Sequence, residues 1–262
     1  MARPPATNSC NSSPEADAVT SRPQTVLITG VTRRVGAHLA EHLLAAGHRV
    51  IGSYRHETDA LRALIDQGLI ALELDLLERG RLAAFAGQVA EKTDRLDLIV
   101  HNASIWHRDE DVAAQPELAT AMYTVHVTSP IELTEHLQRA LPARKRDDGH
   151  ADRQVVFMTD AHIDEGEPDH IHYIASKAAI QSSVRSLALR YAPHTRVNAI
   201  APGLLMFHPE DDTDYRRNRL RRRLLPFEPG PGVVSQTIDY LMACPLINQA
   251  VIRLDTGRRW EN

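Results

Sequence analysis

Tyr173 and Lys177 stand four residues apart in the run His170-Ile171-His172-Tyr173-Ile174-Ala175-Ser176-Lys177, and Asp160 lies thirteen residues before the tyrosine. On a helix that spacing puts the phenol and the ammonium on one face, a turn apart. An ammonium beside a phenol favours the phenolate and lowers a pKa of about 10. A tyrosine so placed is a useful proton donor near neutral pH. The same spacing also occurs on ordinary amphipathic helices, so the pair gains meaning only from what the chain places beside it.

Apolar β-rich runs alternating with helical periodicity predict the elements that position the pair. Strands are expected at Thr25–Thr29, Arg49–Ser53, Ile70–Leu74, Leu96–Val100, Gln154–Met158, Arg196–Ile200 and Ala250–Leu254. Helices are expected at Val35–Ala46, Glu57–Gln67, Arg81–Lys92, Glu117–Leu141, Tyr173–Tyr191 and Val234–Ala243, several of them stopped by glycine or proline. Such alternation builds βαβ units. The expected architecture is a single α/β domain, a doubly wound parallel sheet of Rossmann type with helices on both faces. The polar, arginine-rich stretch Leu204–Gly232 interrupts the alternation and is expected to cover a substrate.

Composition narrows the function classes. A chain of 262 residues with 43% hydrophobic and 24% charged residues is long enough for a sizeable core. The net charge of −4 argues against general nucleic-acid or membrane-surface binding. The basic run Tyr215–Arg223 follows Glu210, Asp211, Asp212 and Asp214, which offset it, and reads as a solvated helix whose cations attract anionic substrates. Cys10 and Cys244 cannot make a disulfide framework, which suits a reducing cytoplasm. Residues 1–24, rich in Pro, Ser, Asn, Ala and Thr, read as a disordered extension without a signal-peptide core, and residues 25–262 as the domain. His38 and His42 have metal-compatible spacing without a third ligand, so surface positions are expected and no metal.

Ligands of such sheets sit beyond the carboxyl ends of the strands. Gly30, Arg55, Asp75, Asn102, Asp160 and Pro202-Gly203 all fall there. The first turn, Thr29-Gly30-Val31-Thr32-Arg33-Arg34-Val35-Gly36, offers a glycine for a tight turn and helix-start amides for a pyrophosphate. The alternative is a plain βα turn, which the strand-turn-helix context at the N-terminus makes the weaker reading. Arg34 occupies the place of the usual middle glycine. Strand two ends in Ser53-Tyr54-Arg55, with no acid for a ribose 2′-hydroxyl. Arg55, either a surface arginine or a partner for a 2′-phosphate, favours NADPH when taken with Arg33. Asp75, beside Leu76, either accepts from the adenine amino group or caps the next helix.

The ordered set T-G-x-x-x-x-x-G, Asn102-Ala103, Tyr173-x-x-x-Lys177 and Pro202-Gly203, running from about Thr25 to Trp260, resembles the short-chain dehydrogenase/reductase family. Asp160 stands where that family has serine, and His101-Asn102-Ala103-Ser104-Ile105-Trp106 where it commonly has N-N-A-G. With Arg34, these departures resemble its pteridine reductases. His126 replaces the helix asparagine that helps hold a proton-relay water, and an imidazole still allows a relay.

The resemblance implies NADPH-dependent reduction of a 7,8-dihydropterin of the dihydromonapterin type, with dihydrofolate and dihydrobiopterin as further substrates. Hydride would go to C6 and a proton to N5. Tyr173 would donate that proton, with Lys177 lowering its pKa and holding the nicotinamide ribose. Asp160 would bond Tyr173 and the pterin's amino-pyrimidine edge, and is a candidate to hold a proton itself. Gly30, Arg33, Arg34, Val35, Ser53, Tyr54, Arg55, Asp75, Leu76, Asn102, Ala103, Ser104, Pro202 and Gly203 would line the cofactor, with Tyr173 and Lys177. Arg34, Ser104, Trp106, Leu204, Asp160 and Tyr173 would meet the substrate. Trp106 either stacks on the pterin or packs in the core after strand four. A homotetramer joined through the long helices before and after strand five is also implied. The competing functions are a short-chain ketoreductase for another carbonyl or imine and a non-catalytic NADPH-binding protein.

Overall fold

Val, Ile and Leu runs too short for helices become seven strands in one fully parallel sheet of order β3-β2-β1-β4-β5-β6-β7. The structure, a computed structural model, describes residues 22–144 and 148–257. Cys10, Trp260 and nearly all of the expected extension lie outside the described residues. Its last part, Arg22–Gln24, is tied to the domain. Arg22 pairs with Asp97 at 2.7 Å, the Gln24 N–H donates to His48 Nδ1 (3.0 Å), and the Gln24 carbonyl accepts from Arg49 N (2.9 Å).

The strands are β1 (Thr25–Thr29), β2 (Arg49–Tyr54), β3 (Ile70–Glu73), β4 (Leu98–His101), β5 (Arg153–Met158), β6 (Thr195–Pro202) and β7 (Val251–Leu254). The helices are α1 (Arg34–Ala45), α2 (Asp59–Asp66), α3 (Leu82–Lys92), α4 (Asp109–Ala114), α5 (Glu117–Tyr123), α6 (Ser129–Ala140), α7 (Ile171–Tyr191), α8 (Thr213–Arg221) and α9 (Gly232–Ala243). Side-chain alternation along β1 divides the core between the faces. Leu27 joins Phe85, Leu133, Phe157 and Val184 under α3, α6 and α7. Val26 and Ile28 join Leu39, Leu61, Val156 and Ile238 under α1, α2 and α9. Burying each such side chain contributes about 1.5–3 kcal/mol, and two-sided cover explains why every residue of β5 is buried.

Two departures from expectation matter for function. Glu117–Leu141 is not uniformly α-helical: a π turn over Thr124–Thr128 separates α5 from α6 and has His126 at its middle. The arginine run is only in part the solvated helix expected: α8 ends at Arg221, its N-cap Asp212 accepting from Tyr215 N at 2.7 Å, and Arg223 beyond it is buried. No helix among the described residues is long and apolar enough to cross a membrane.

Candidate active site

The strand order reverses at β1, between β2 and β4, and opens a crevice at the carboxyl ends. Gly30 turns the chain there with φ +74, a conformation glycine adopts freely. Its N–H donates to the Ser53 carbonyl (3.0 Å) and Oγ (3.2 Å). A Cβ on Gly36 would lie 2.0 Å from the Gly30 carbonyl oxygen and 2.5 Å from Asn102 Nδ2. Asn102 Nδ2 donates to the carbonyls of Thr29 (3.1 Å) and Gly30 (2.9 Å), and Thr29 Oγ1 accepts from Asn102 N (3.0 Å) and Ala103 N (3.1 Å). Ser53 and Asn102 therefore lock the first turn to its neighbouring strands.

Several features fit a phosphate-bearing nucleotide. The N-cap residue of α1, Arg33, makes no side-chain cap, and the first turn holds no acid, so the positive helix end is uncompensated. Arg33 and Arg55 are exposed. Val35 is half-buried in the first turn of α1, and Tyr54 packs against the core beside Arg55. Asp75 caps no helix; its Oδ1 accepts from Leu77 N at 2.9 Å in a local turn, next to buried Leu76. Pro202 pairs with Leu254, and a Cβ on Gly203 would meet Asp255 Cβ at 2.8 Å.

Tyr173, in the first turn of α7, donates its hydroxyl to Asp160 Oδ2 at 3.2 Å. Lys177 is buried and its Nζ donates to the Met158 carbonyl at the end of β5 (3.0 Å), 5.7 Å from the Tyr173 ring centre. Burial, rather than Lys177, dominates the Tyr173 pKa. Burial first, then the Asp160 charge, push that pKa well above 10, while Ser104 pulls weakly the other way. The phenol is a protonated donor at neutral pH. Burial takes Lys177 from 10.5 down to about 8, against the raising effect of Asp160. Asp160 does not hold a proton either. Burial pushes its pKa up, but hydrogen bonds and charge from His162, together with Lys177, outweigh this and lower it.

His126 ties these groups to the β4 end. Its Nε2 accepts from Ile105 N (3.2 Å) and lies 2.8 Å from Ser104 Oγ, while Nδ1 lies 2.7 Å from Ser176 Oγ. Because Nε2 accepts, the ring proton belongs on Nδ1. Ser176 Oγ in turn donates to the Tyr173 carbonyl at 2.6 Å. Burial, with Lys177, takes the His126 pKa to about 2, so this imidazole bridges as a neutral group and carries no proton as imidazolium.

Trp106 is not core: 54% exposed, its ring lies against His170 with centres 4.5 Å apart. Leu204 is half-buried where the segment expected to cover a substrate leaves β6. Arg34, left-handed at φ +51, binds that segment through Met206 O (3.2 Å) and His208 Nε2 (3.1 Å).

Three contributors escaped the sequence reading. Asp109 caps α7 from another element, its carboxylate accepting from Ile171 N (2.8 Å) and His172 N (3.2 Å). His162 donates to Asp160 from the adjoining turn, and Arg223 reaches His162 from the covering segment. No spacing rule announces any of them. Away from the crevice, His42 pairs with Asp239 at 2.9 Å, and the described residues hold no group of three or more potential metal ligands.

A family model described as Enoyl-(Acyl carrier protein) reductase matches residues 30–220. Dihydromonapterin reductases of Escherichia coli and Shigella dysenteriae are 36% identical over 238 residues, 91% of this chain and 98% of theirs. The crystal structure of FolM alternative dihydrofolate reductase 1 from Brucella canis, complexed with NADP, superposes with a TM-score of 0.80 at 28% identity, covering 91% of this chain and 96% of that one. Its Brucella suis counterpart, also with NADP, superposes equally well over 97% of its length. Motif order, strand order and these likenesses converge: the chain belongs to the short-chain dehydrogenase/reductase family.

Proposed function

We propose that this protein is an NADPH-dependent reductase of 7,8-dihydropterins of the dihydromonapterin type, with dihydrofolate and dihydrobiopterin as further substrates. The observation that carries this reading is the hydrogen bond from Tyr173 to an ionised Asp160 at the carboxyl end of β5, beside buried Lys177. Serine chemistry for an ordinary alcohol has no counterpart there. The dihydromonapterin reductases and the NADP-bound Brucella structures support the same substrate and cofactor classes.

NADPH, when bound, supplies the hydride delivered to C6. The first turn, with Gly30, Arg33, Val35 and the amides of α1, receives the pyrophosphate, and Arg55 receives the 2′-phosphate. Tyr54, Asp75 and Leu76 border the adenosine; Asn102, Ala103, Pro202 and Gly203 border the nicotinamide side. Tyr173, protonated at neutral pH, donates toward N5. Lys177, still mostly charged at pH 7, steadies the phenolate as it forms and holds the ribose hydroxyls. Asp160, ionised, accepts from the amino-pyrimidine edge and raises the proton affinity of the phenolate, which takes its replacement proton from water. Trp106 offers an exposed indole face on which a pterin ring stacks, while Arg34, Ser104 and Leu204 complete the substrate walls. The functional unit is a cytoplasmic homotetramer joined through α5, α6 and α7, which light scattering tests directly.

The decisive assay is loss of NADPH absorbance on adding dihydromonapterin, dihydrobiopterin or dihydrofolate. Turnover with at least one, faster with NADPH than NADH, is expected. Absence of turnover with all three, or turnover of ketones alone, sinks the reading.

A further inference from the structure

We propose that His162 is a positioning residue that aims the Asp160 carboxylate at Tyr173, and that Arg223 of the covering segment sets the ring tautomer this requires. The inference rests on the reading that Asp160 and Tyr173 act on the substrate.

Asp160 presents its two oxygens to different partners. Oδ2 faces the Tyr173 hydroxyl at 3.2 Å, whereas Oδ1 accepts from both the backbone N–H and Nδ1 of His162, each at 2.8 Å. The far ring nitrogen, Nε2, lies 2.9 Å from Arg223 Nη2. A guanidinium only donates, so Nε2 must accept and Nδ1 must carry the proton that Asp160 receives. Donors thus converge on Asp160 from two sides: Tyr173 on Oδ2, and His162, its tautomer fixed by Arg223, on Oδ1. All of it is shielded: the side chains of Asp160, His162 and Arg223 are 17%, 14% and 6% exposed.

A carboxylate turned by two short hydrogen bonds on one oxygen cannot rotate without losing both, so the other oxygen stays on the phenol. The charged and titratable groups around this pair come from four elements. Tyr173 and Lys177 come from α7, and His162 from the turn after β5. Arg223 comes from the covering segment and stands 3.8 Å from Glu165, which also pairs with Arg253 of β7. Asp255, beyond β7, pairs with Arg253 as well. Because Arg223 belongs to the segment over the substrate, seating of that segment is linked to the set of the carboxylate beneath it.

The test uses full-length protein with carbon-13-labelled aspartate carboxyls, the Asp160 signal being identified by its absence in Asp160→Asn. In His162→Leu the Asp160 carboxyl is expected to titrate about one to two pH units higher, a roughly 10- to 100-fold gain in proton affinity. His162→Asn, whose amide N–H can replace Nδ1–H, is expected to stay near the parent value. The acid limb of kcat/KM for the dihydropterin should move with the titration in Leu and not in Asn, while the NADPH Kd stays constant. An unmoved titration in His162→Leu, or equal shifts in the Leu and Asn variants, overturns the proposal. If His162→Leu does not fold, His162→Gln, whose amide lies one carbon further out, replaces it as the variant lacking the Nδ1-type donor. If the parent turns over no dihydropterin, the functional reading fails while the carboxyl titration still decides the role of His162.

Discussion

The two sides of the crevice are held by different means. On the β1–β4 side the first turn is fixed by main-chain atoms and short side chains: Thr29, Ser53 and Asn102 bond to backbone, and Gly36 lies against the Gly30 carbonyl. On the covering side the contacts come from long cationic side chains. Arg34 reaches Met206 and His208, Arg216 binds the carbonyls of Asp211 and His208, and Arg223 reaches His162. Short backbone-anchored contacts make a fixed template. Long side chains on a polar segment make a latch held by guanidinium hydrogen bonds rather than by backbone packing. A dinucleotide of constant shape suits the first, and a substrate that must enter and leave suits the second.

The largest expected effect lies between the two sides. Tyr173→Phe removes the donor without disturbing either wall, so kcat should fall about 10²- to 10⁴-fold. NADPH Kd and the unfolding midpoint should stay put; a weakened Kd would mean that Tyr173 belongs to the template instead. Next comes the template itself. Gly36→Ala drives a methyl into the Gly30 carbonyl, at a cost of about 3 kcal/mol or more. Calorimetry should show Tm lower by roughly 6–12 °C, and an unchanged Tm would show that the turn yields.

Lys177 supplies a pH-dependent effect of intermediate size. Its folded pKa of about 8 lies below the ordinary 10.5, so the charged lysine opposes folding. That opposition is full below pH 8 and is relieved as pH rises toward 10.5, on the order of 3–4 kcal/mol across the window. Urea unfolding of the parent and Lys177→Met at matched pH should show the parent gaining on the variant over that range. A constant difference between them would contradict the burial of the charge.

The smallest effect concerns the latch. Arg34→Gly relieves a left-handed arginine, worth about 1 kcal/mol, and deletes the contacts to Met206 and His208. KM for the dihydropterin should rise a few-fold while Tm holds or rises slightly. A large fall in Tm would move Arg34 from the latch to the template.

What the sequence revealed follows the same division. Strands are legible because apolar β-rich runs bounded by glycine and charge have few other uses, and the residues at their ends follow from topology. The template could be found by spacing because glycine is required where backbone approaches backbone. The latch could not. Arg223 is buried within a run of arginines that reads as uniformly solvated. Asp109 caps a helix 62 residues downstream, and His162 is one of 14 histidines, marked only by following Asp160. Trp106 reads equally as a stacking platform for a pterin or as core packing, because a tryptophan after a strand satisfies both. For the Tyr173–Lys177 pair, helix spacing reports which face side chains share and not the burial and the Asp160 charge that dominate the phenol's pKa.

The π turn at Thr124–Thr128 carries a consequence for chain length. One such turn amounts to a single residue inserted into an α-helix. Removing one residue there would restore even winding and leave Glu117–Tyr123 and Ser129–Ala140 near their present phases, because the wide turn is what absorbs the extra residue. Both helices would survive, yet the imidazole between Ser104 and Ser176 would lose its place. The extra residue in this stretch is therefore what presents the imidazole, and it separates chains that can bridge the β4 end to α7 through a histidine from chains that must use something else.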